Sequence, residues 1–240
     1  MPARARGSAV LDTIPMTLDQ APAAMANRAI AGLYAIADTA QLAPASLLDA
    51  VAQAIDGGAT IVQYRDKCAQ PNKGQAQHLA QLCQRRGVPL IINDDVELAY
   101  SIGAAGVHLG RDDAPLTQAR QRLGLQAVIG ISCYNQLERA LSAAAAGADY
   151  VAFGSFYPSA TKPAAQRASL ELLREARQRV RIPIVAIGGI TPENGAALVA
   201  AGADALAVIQ GLFAQVDVRA AARRYAVLFA HTHDNGKRME

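Results

Sequence analysis

Tryptophan is absent from the 240 residues, and aromatic side chains of every kind make up only 5%. The core is therefore aliphatic, drawn from the Ala, Val, Ile and Leu that dominate an apolar fraction of 52%. An excess of one charge sign is also lacking: 23 Lys and Arg stand against 20 Asp and Glu, a formal +3, with no long basic stripe. That excludes the broad cationic footprint of a nucleic-acid binder and makes any anion site local. No uninterrupted apolar run approaches membrane-spanning length, so no membrane association is expected. Cys68, Cys83 and Cys133 are odd in number and lack metal-ligand spacing, which points to reduced thiols in the cytoplasm. Met1 to about Asn27 lack the apolar stretch of a secretory signal, and Asp12 and Asp19 argue against the transit peptide that Arg4, Arg6 and Arg28 would suggest. Residues 1–28 read as a flexible arm, or as a start placed upstream of Met16 or Met25, and residues 231–240 as a polar tail. Residues 29–230 remain as one domain.

What is present is an alternation. Short apolar runs lie at Leu33–Ala37, Ile61–Tyr64, Leu90–Asn93, Gly106–Leu109, Ala127–Ile131, Tyr150–Phe153, Ile184–Ile187 and Ala205–Ile209. Ala-rich helical stretches follow them near 45–56, 73–86, 95–102, 115–123, 135–146, 168–179, 192–201 and 216–229. Eight β-α units with a period of about 25 residues predict a (β/α)8 TIM barrel. The tetrapeptide Ala-Gly-Ala-Asp recurs at 146–149 and 201–204, before strands six and eight, where its Gly can end a helix. Pro89 and Pro183 stand where strands begin. A doubly wound open sheet competes, but the first strand is not followed by a G-x-G-x-x-G turn.

Barrel chemistry sits at the C-terminal ends of the strands. There Gln63, Arg65 and Lys67 follow one another at a spacing of two, so a strand directs them to one face. Two cations and an amide at a buried strand end require an anion, most simply a phosphorylated ligand. Gly188 and Gly189 after strand seven, with Ile209, Gln210 and Gly211 after strand eight, suit a phosphate, and equally suit two tight turns. Asp94 and Asp113, from neighbouring strands three and four, could share a Mg²⁺. Asp94, Asp95 and Asp112 are alternatively suited to capping helices. The long loop Gly154–Pro163 carries Ser159 and Thr161 beside Lys162 and reads as a lid or binding loop. His108, among apolar strand neighbours, reads as a hydrogen-bonded structural residue. Ser132 lacks a visible His–Asp partnership and reads as a donor to phosphate.

Six separated motifs, in order, resemble the thiamine phosphate synthase family. They are Val62-Gln-Tyr-Arg-Asp-Lys67, Ile92-Asn-Asp94, Gly106-Val-His-Leu-Gly-Arg-Asp-Asp113, Gly130-Ile-Ser132, Tyr157-Pro-Ser-Ala-Thr-Lys162 and Ile187-Gly-Gly-Ile-Thr191. The resemblance spans about Leu33 to Phe213 and implies a transferase. That enzyme would join 4-amino-5-hydroxymethyl-2-methylpyrimidine diphosphate to thiazole phosphate, releasing pyrophosphate. It implies early C–O cleavage, with capture of a pyrimidine carbocation by the thiazole nitrogen. It further implies that Gln63, Arg65, Lys67, Asn93 and Lys162 bind the pyrimidine diphosphate and that Asp94 and Asp113 hold Mg²⁺. Ser132 would contact pyrophosphate, and Arg65, Lys67, Ser132 and Lys162 would assist its departure. Ser159, Thr161, Gly189, Ile209 and Gln210 would bind the thiazole phosphate. Small-molecule substrates are thus the expected partners, with a homo-oligomer possible.

The chain departs from the family pattern at Arg111 (usually Gln), at Gly154-Ser-Phe156, at Ser159 (usually Thr) and at Gln210 (commonly Ser). Tyr64 replaces an aliphatic residue and should face outward from the barrel. Two other readings stay open. A thiazole tautomerase of related fold would need a proton-transferring His after Ser132, where this chain has Cys133-Tyr134-Asn135. A non-catalytic phosphate-binding barrel would have no use for the Asp pair.

Overall fold

The computed structural model describes residues 30–68, 70–158 and 166–230. The expected arm at 1–28 and tail at 231–240 lie outside the described residues, as do Ser159, Thr161 and Lys162. The elements run β1 (Gly32–Asp38), α1 (Leu47–Asp56), β2 (Ala59–Arg65), α2 (Lys73–Arg86), β3 (Leu90–Asn93), α3 (Val96–Ile102), β4 (Gly106–Leu109) and α4 (Leu116–Leu123). They continue with β5 (Val128–Tyr134), α5 (Leu137–Ala145), β6 (Tyr150–Gly154), α6 (Leu170–Arg179), β7 (Ile184–Ile187), α7 (Pro192–Ala200), β8 (Ala205–Val208), α8 (Gln210–Phe213) and α9 (Val218–Ala226). All strand pairs are parallel and β1 closes on β8, so the sheet is the expected closed eight-stranded (β/α)8 TIM barrel.

The alternation of side chains along each strand divides the core in two. Tyr34, Ile36, Ile61, Ile91, Tyr150, Val185, Ala205 and Ala207 fill the barrel interior. Leu33, Ala35, Ala37, Val62, Ile92, Val107 and Leu206, one step out of phase, pack between sheet and helices. Tyr64 faces outward as expected, yet it is only 1% exposed, because α2 covers it. Its hydroxyl bonds Asp66 and Gln75 there.

Local chemistry sets the helix starts. Asn72, Asp95, Ser169 and Asp217 each accept a backbone N–H from the first turn of α2, α3, α6 and α9. Asp95 therefore takes the capping role for α3, which frees Asp94 for the rim. Asp112 caps nothing, since α4 starts after Pro115. The two Ala-Gly-Ala-Asp segments do follow helix ends, with Gly147 and Gly202 at positive φ.

Candidate active site

A cavity of about 1200 Å³ opens at the C-terminal ends of the strands. Gln63, Arg65, Asn93, His108 and Ser132 line one side, and Gly188, Gly189, Ile209 and Gln210 the other. Lys67, Asp94 and Asp113 sit beside this cavity rather than in its wall, Asp94 lining a smaller neighbouring pocket.

On the β2 side, Ile61, Gln63 and Arg65 share the inner face of the strand, and Lys67 follows in the loop. The two cations are already met by carboxylates of the chain itself. Arg65 lies opposite Asp38 in the sheet register, and its Nη1 is 2.5 Å from Asp38 Oδ2. Asp38 is 1% exposed and also accepts the N–H of Ala40 at 3.0 Å. Lys67 Nζ, on a side chain 55% exposed, pairs with Asp94. The strand end thus requires no ligand to neutralise it. Asp38 ends β1 and so lies on the rim, but its pairing with Arg65 is not visible in the sequence; the register of β1 against β2 brings the two together.

Asp94 has a positive φ of 64°, and its carboxylate also accepts from Asn93 Nδ2 at 2.6 Å. Asp113 accepts the N–H of Gly110 at 2.6 Å. Burial pushes the Asp113 carboxyl above its ordinary value, reinforced by a hydrogen bond to Asp94 and by that group's charge; Gly110 and Lys67 oppose the shift. Two carboxyl groups so close that one resists ionisation form a site a divalent cation would relieve. Among the described residues no group of three or more His, Cys, Asp and Glu surrounds a point. Two carboxylates with room for water and phosphate oxygens fit Mg²⁺, which seldom uses an all-protein cage.

Ser132 has a partner the sequence did not reveal. Its Oγ is 2.8 Å from His108 Nε2, and His108 Nδ1 is 2.9 Å from the hydroxyl of Tyr150. The expectation that His108 is hydrogen-bonded holds, and Ser132 has a histidine partner without a His–Asp partnership. The third member is a phenol rather than a carboxylate, so the trio is not a nucleophile-activating triad. Arg139, from α5, donates to the carbonyls of Ser132 (2.7 Å) and Gly110 (3.1 Å), tying the β4 loop to β5. The Arg111 guanidinium lies 5.0 Å from the ring centroid of Tyr134.

Across the cavity, Gly188 and Gly189 have φ of 105° and 61°. A Cβ would come within 2.1 Å of Ser155 Oγ at the first and 2.2 Å of the Pro158 carbonyl at the second. The tight-turn role is therefore met, and the same bare backbone faces the cavity. Gln210 is the first residue of α8.

The family model for thiamine monophosphate synthase matches residues 33–212. The chain belongs to the thiamine monophosphate synthase family. It is 57% identical over 201 residues to the thiamine-phosphate synthase of Nitrosococcus oceani, covering 83% of this chain and 93% of the relative. It is 53% identical over 203 residues to that of Thioalkalivibrio sulfidiphilus, covering 82% and 95%. Among solved structures, a thiamine phosphate pyrophosphorylase from Pyrococcus furiosus superposes with a TM-score of 0.74 at 33% identity, covering 83% of this chain and 95% of its own. The family match begins at Leu33 in β1 and ends at Leu212 in α8, so it contains every residue placed on the rim.

Proposed function

We propose that this member of the thiamine monophosphate synthase family joins 4-amino-5-hydroxymethyl-2-methylpyrimidine diphosphate to thiazole phosphate, giving thiamine phosphate and pyrophosphate. The observation that carries the reading is one cavity with donors on one wall, bare glycine backbone on the other and a carboxylate pair at its edge. In the reaction the methylene C–O bond breaks with its electron pair going to the diphosphate. The thiazole nitrogen lone pair then forms the new C–N bond. An uncharged aromatic nitrogen needs no base to attack, which suits a rim whose cavity-lining imidazole, His108, is bonded at both nitrogens.

The residues stabilise the charge that develops on the leaving group. Asp94 and Asp113 would hold Mg²⁺, which when bound supplies electrostatic neutralisation of the diphosphate. Arg65 offers its remaining N–H donors with its charge balanced by Asp38, whereas the exposed Lys67 is the mobile cation. Gln63 and Asn93 face the pyrimidine, Ser132 donates to the diphosphate, and Gly189, Ile209 and Gln210 receive the thiazole phosphate. Lys162, Ser159 and Thr161 complete the site from the loop after β6; replacing Lys162 by Ala should slow a single turnover without lowering the melting temperature.

The deciding experiment incubates the purified protein with both substrates and Mg²⁺ and assays thiamine phosphate. Isomerised thiazole without coupled product would favour the tautomerase. No turnover with phosphate-ligand binding intact would favour the non-catalytic barrel. Among the described residues no helix is long and apolar enough to cross a membrane. Cys68, Cys83 and Cys133 are all unpaired, which supports the cytoplasmic assignment, to be checked by cell fractionation. Light scattering would test for the homo-oligomer, and no nucleic-acid partner is invoked.

A further inference from the structure

A continuous row of polar groups crosses the barrel interior as part of the cavity lining. Gln63 Nε2 donates to the Tyr34 hydroxyl at 2.9 Å, and that hydroxyl lies 2.8 Å from the hydroxyl of Tyr150. Tyr150 continues to His108 Nδ1 at 2.9 Å, and His108 Nε2 to Ser132 Oγ at 2.8 Å. Five residues from five strands are thus linked end to end. The link depends on a missing side chain. His108, Gly130 and Tyr150 are adjacent in the registers of β4, β5 and β6. A Cβ on Gly130 would lie 1.9 Å from Cζ of Tyr150. Only with glycine there can the Tyr150 ring lie across β5 and stack on His108, with centroids 5.5 Å apart and planes 22° from parallel.

The row has a direction. An amide nitrogen can only donate, so Tyr34 accepts from Gln63 and sends its own hydrogen to Tyr150. Tyr150, having accepted, donates to His108 Nδ1. An imidazole accepting at Nδ1 carries its proton on Nε2, so His108 donates to Ser132. The Ser132 hydroxyl hydrogen is then left to point into the cavity. Both phenols are fully buried, which keeps them protonated and able to relay.

We propose that Tyr34, Tyr150 and His108 are positioning residues that hold the Ser132 hydroxyl as an outward-facing donor for the departing diphosphate, so that Gln63 and Ser132 are the two ends of one oriented hydrogen-bond chain. The proposal rests on the reaction assigned above for the identity of the anion, but not for the direction of the chain. Reversing the direction would turn the Ser132 oxygen lone pairs toward an anion and repel it.

Two measurements test this. The first is nitrogen-15 NMR of the imidazole of His108 in the ligand-free protein. The Nε2–H tautomer is expected in the wild type. In Gln63→Glu, whose carboxylate can only accept, the expected form is Nδ1–H. An Nδ1–H tautomer in the wild type, or no change in Gln63→Glu, overturns the direction. The second is a double-mutant cycle between Tyr150→Phe and Ser132→Ala, read both as turnover and as the affinity for inorganic pyrophosphate with Mg²⁺. Tyr150→Phe should cost about tenfold alone and less than about twofold when Ser132 is already Ala. Equal losses in both backgrounds would mean that Tyr150 acts on packing and not through Ser132. A wild type that makes no thiamine phosphate would sink the assigned reaction instead, and the tautomer result would stand by itself.

Discussion

The two ends of this barrel each hold a pair of carboxylates that they treat in opposite ways. At the N-terminal end, Asp149 and Asp204, the last residues of the repeated Ala-Gly-Ala-Asp, immediately precede β6 and β8. Each accepts a backbone N–H at the start of the preceding strand, Asp149 from Ile129 and Asp204 from Ile184, both at 2.7 Å. Each also pairs with an arginine, Arg120 at 2.6 Å and Arg177 at 2.8 Å. Those arginines are themselves anchored on backbone carbonyls, Ala127 at 2.5 Å and Val180 at 2.7 Å. At the C-terminal end, Asp94 leans on an exposed lysine and Asp113 is pressed against Asp94. One end spends its carboxylates on joining strands to helices. The other holds them in an arrangement that the fold alone does not require, which is where activity is traded against stability.

The largest expected effect tests the strained end. Asp113→Asn or Asp94→Ala should lower turnover by several kcal/mol of transition-state stabilisation, roughly a thousandfold, and weaken the response to Mg²⁺. In Asp113→Asn the melting temperature should hold or rise, because a repulsive contact is removed. Near-normal, Mg²⁺-responsive coupling would refute the metal assignment, and a large drop in melting temperature would erase the contrast between the ends.

The converse test strikes the satisfied end. Asp204→Ala leaves the Ile184 N–H without its acceptor and should cost about 1–3 kcal/mol in urea unfolding. Asp204→Asn keeps an acceptor oxygen and loses only a partly exposed ion pair, worth no more than about 1 kcal/mol. Both should leave kcat/KM within about twofold, since they lie a strand's length from the cavity. A matching loss of activity would show that the two ends are coupled.

How far the sequence discloses this contrast depends on the range of the interaction. Strands β3, β4 and β7 have the bounds expected from their apolar runs: Pro89 and Asp94 flank β3, Pro183 and Gly188 flank β7, and β4 starts at Gly106 and stops before Gly110. Strand β5 runs three residues further, to Tyr134, past an irregularity in its pairing with β6 that no apolar run announces. Helix α8, at four residues, is too short to show periodicity. The rim residues were legible from strand ends and motif spacing. Their partners were not: Asp38 with Arg65 needs the β1–β2 register, and His108 with Tyr150 needs the gap at Gly130. The repeated Asp149 and Asp204 were visible as a pattern, but their arginines stand far away in the sequence.

Asp66 supplies the smallest and sharpest test, because it belongs to the rim by sequence and to the other end by chemistry. It sits between Arg65 and Lys67, yet its carboxylate is occupied by the N–H groups of Cys68 (3.0 Å) and Asn72 (3.1 Å) and by the hydroxyls of Thr39 and Tyr64 (both 3.1 Å). Burial alone would raise its carboxyl, but these donors outweigh burial and hold it at about 2. A folded value below the unfolded one, about 3.9, means that Asp66 stabilises the loop fully above that pH. The contribution is lost as the pH falls from there through the folded value. Hydrogen exchange of the Cys68 and Asn72 amides, taken relative to the intrinsic rate at each pH, should therefore accelerate between about pH 4 and 2, while Asp66→Asn should exchange faster at neutral pH and respond less to acid. If the exchange is flat in the wild type, Asp66 is not the anchor of the loop that carries Lys67. If it accelerates as expected, position on the rim does not by itself make a carboxylate ligand-facing: Asp66 is excluded because donors occupy both of its oxygens, whereas the donors that reach Asp94 and Asp113 fall on Oδ2 of each.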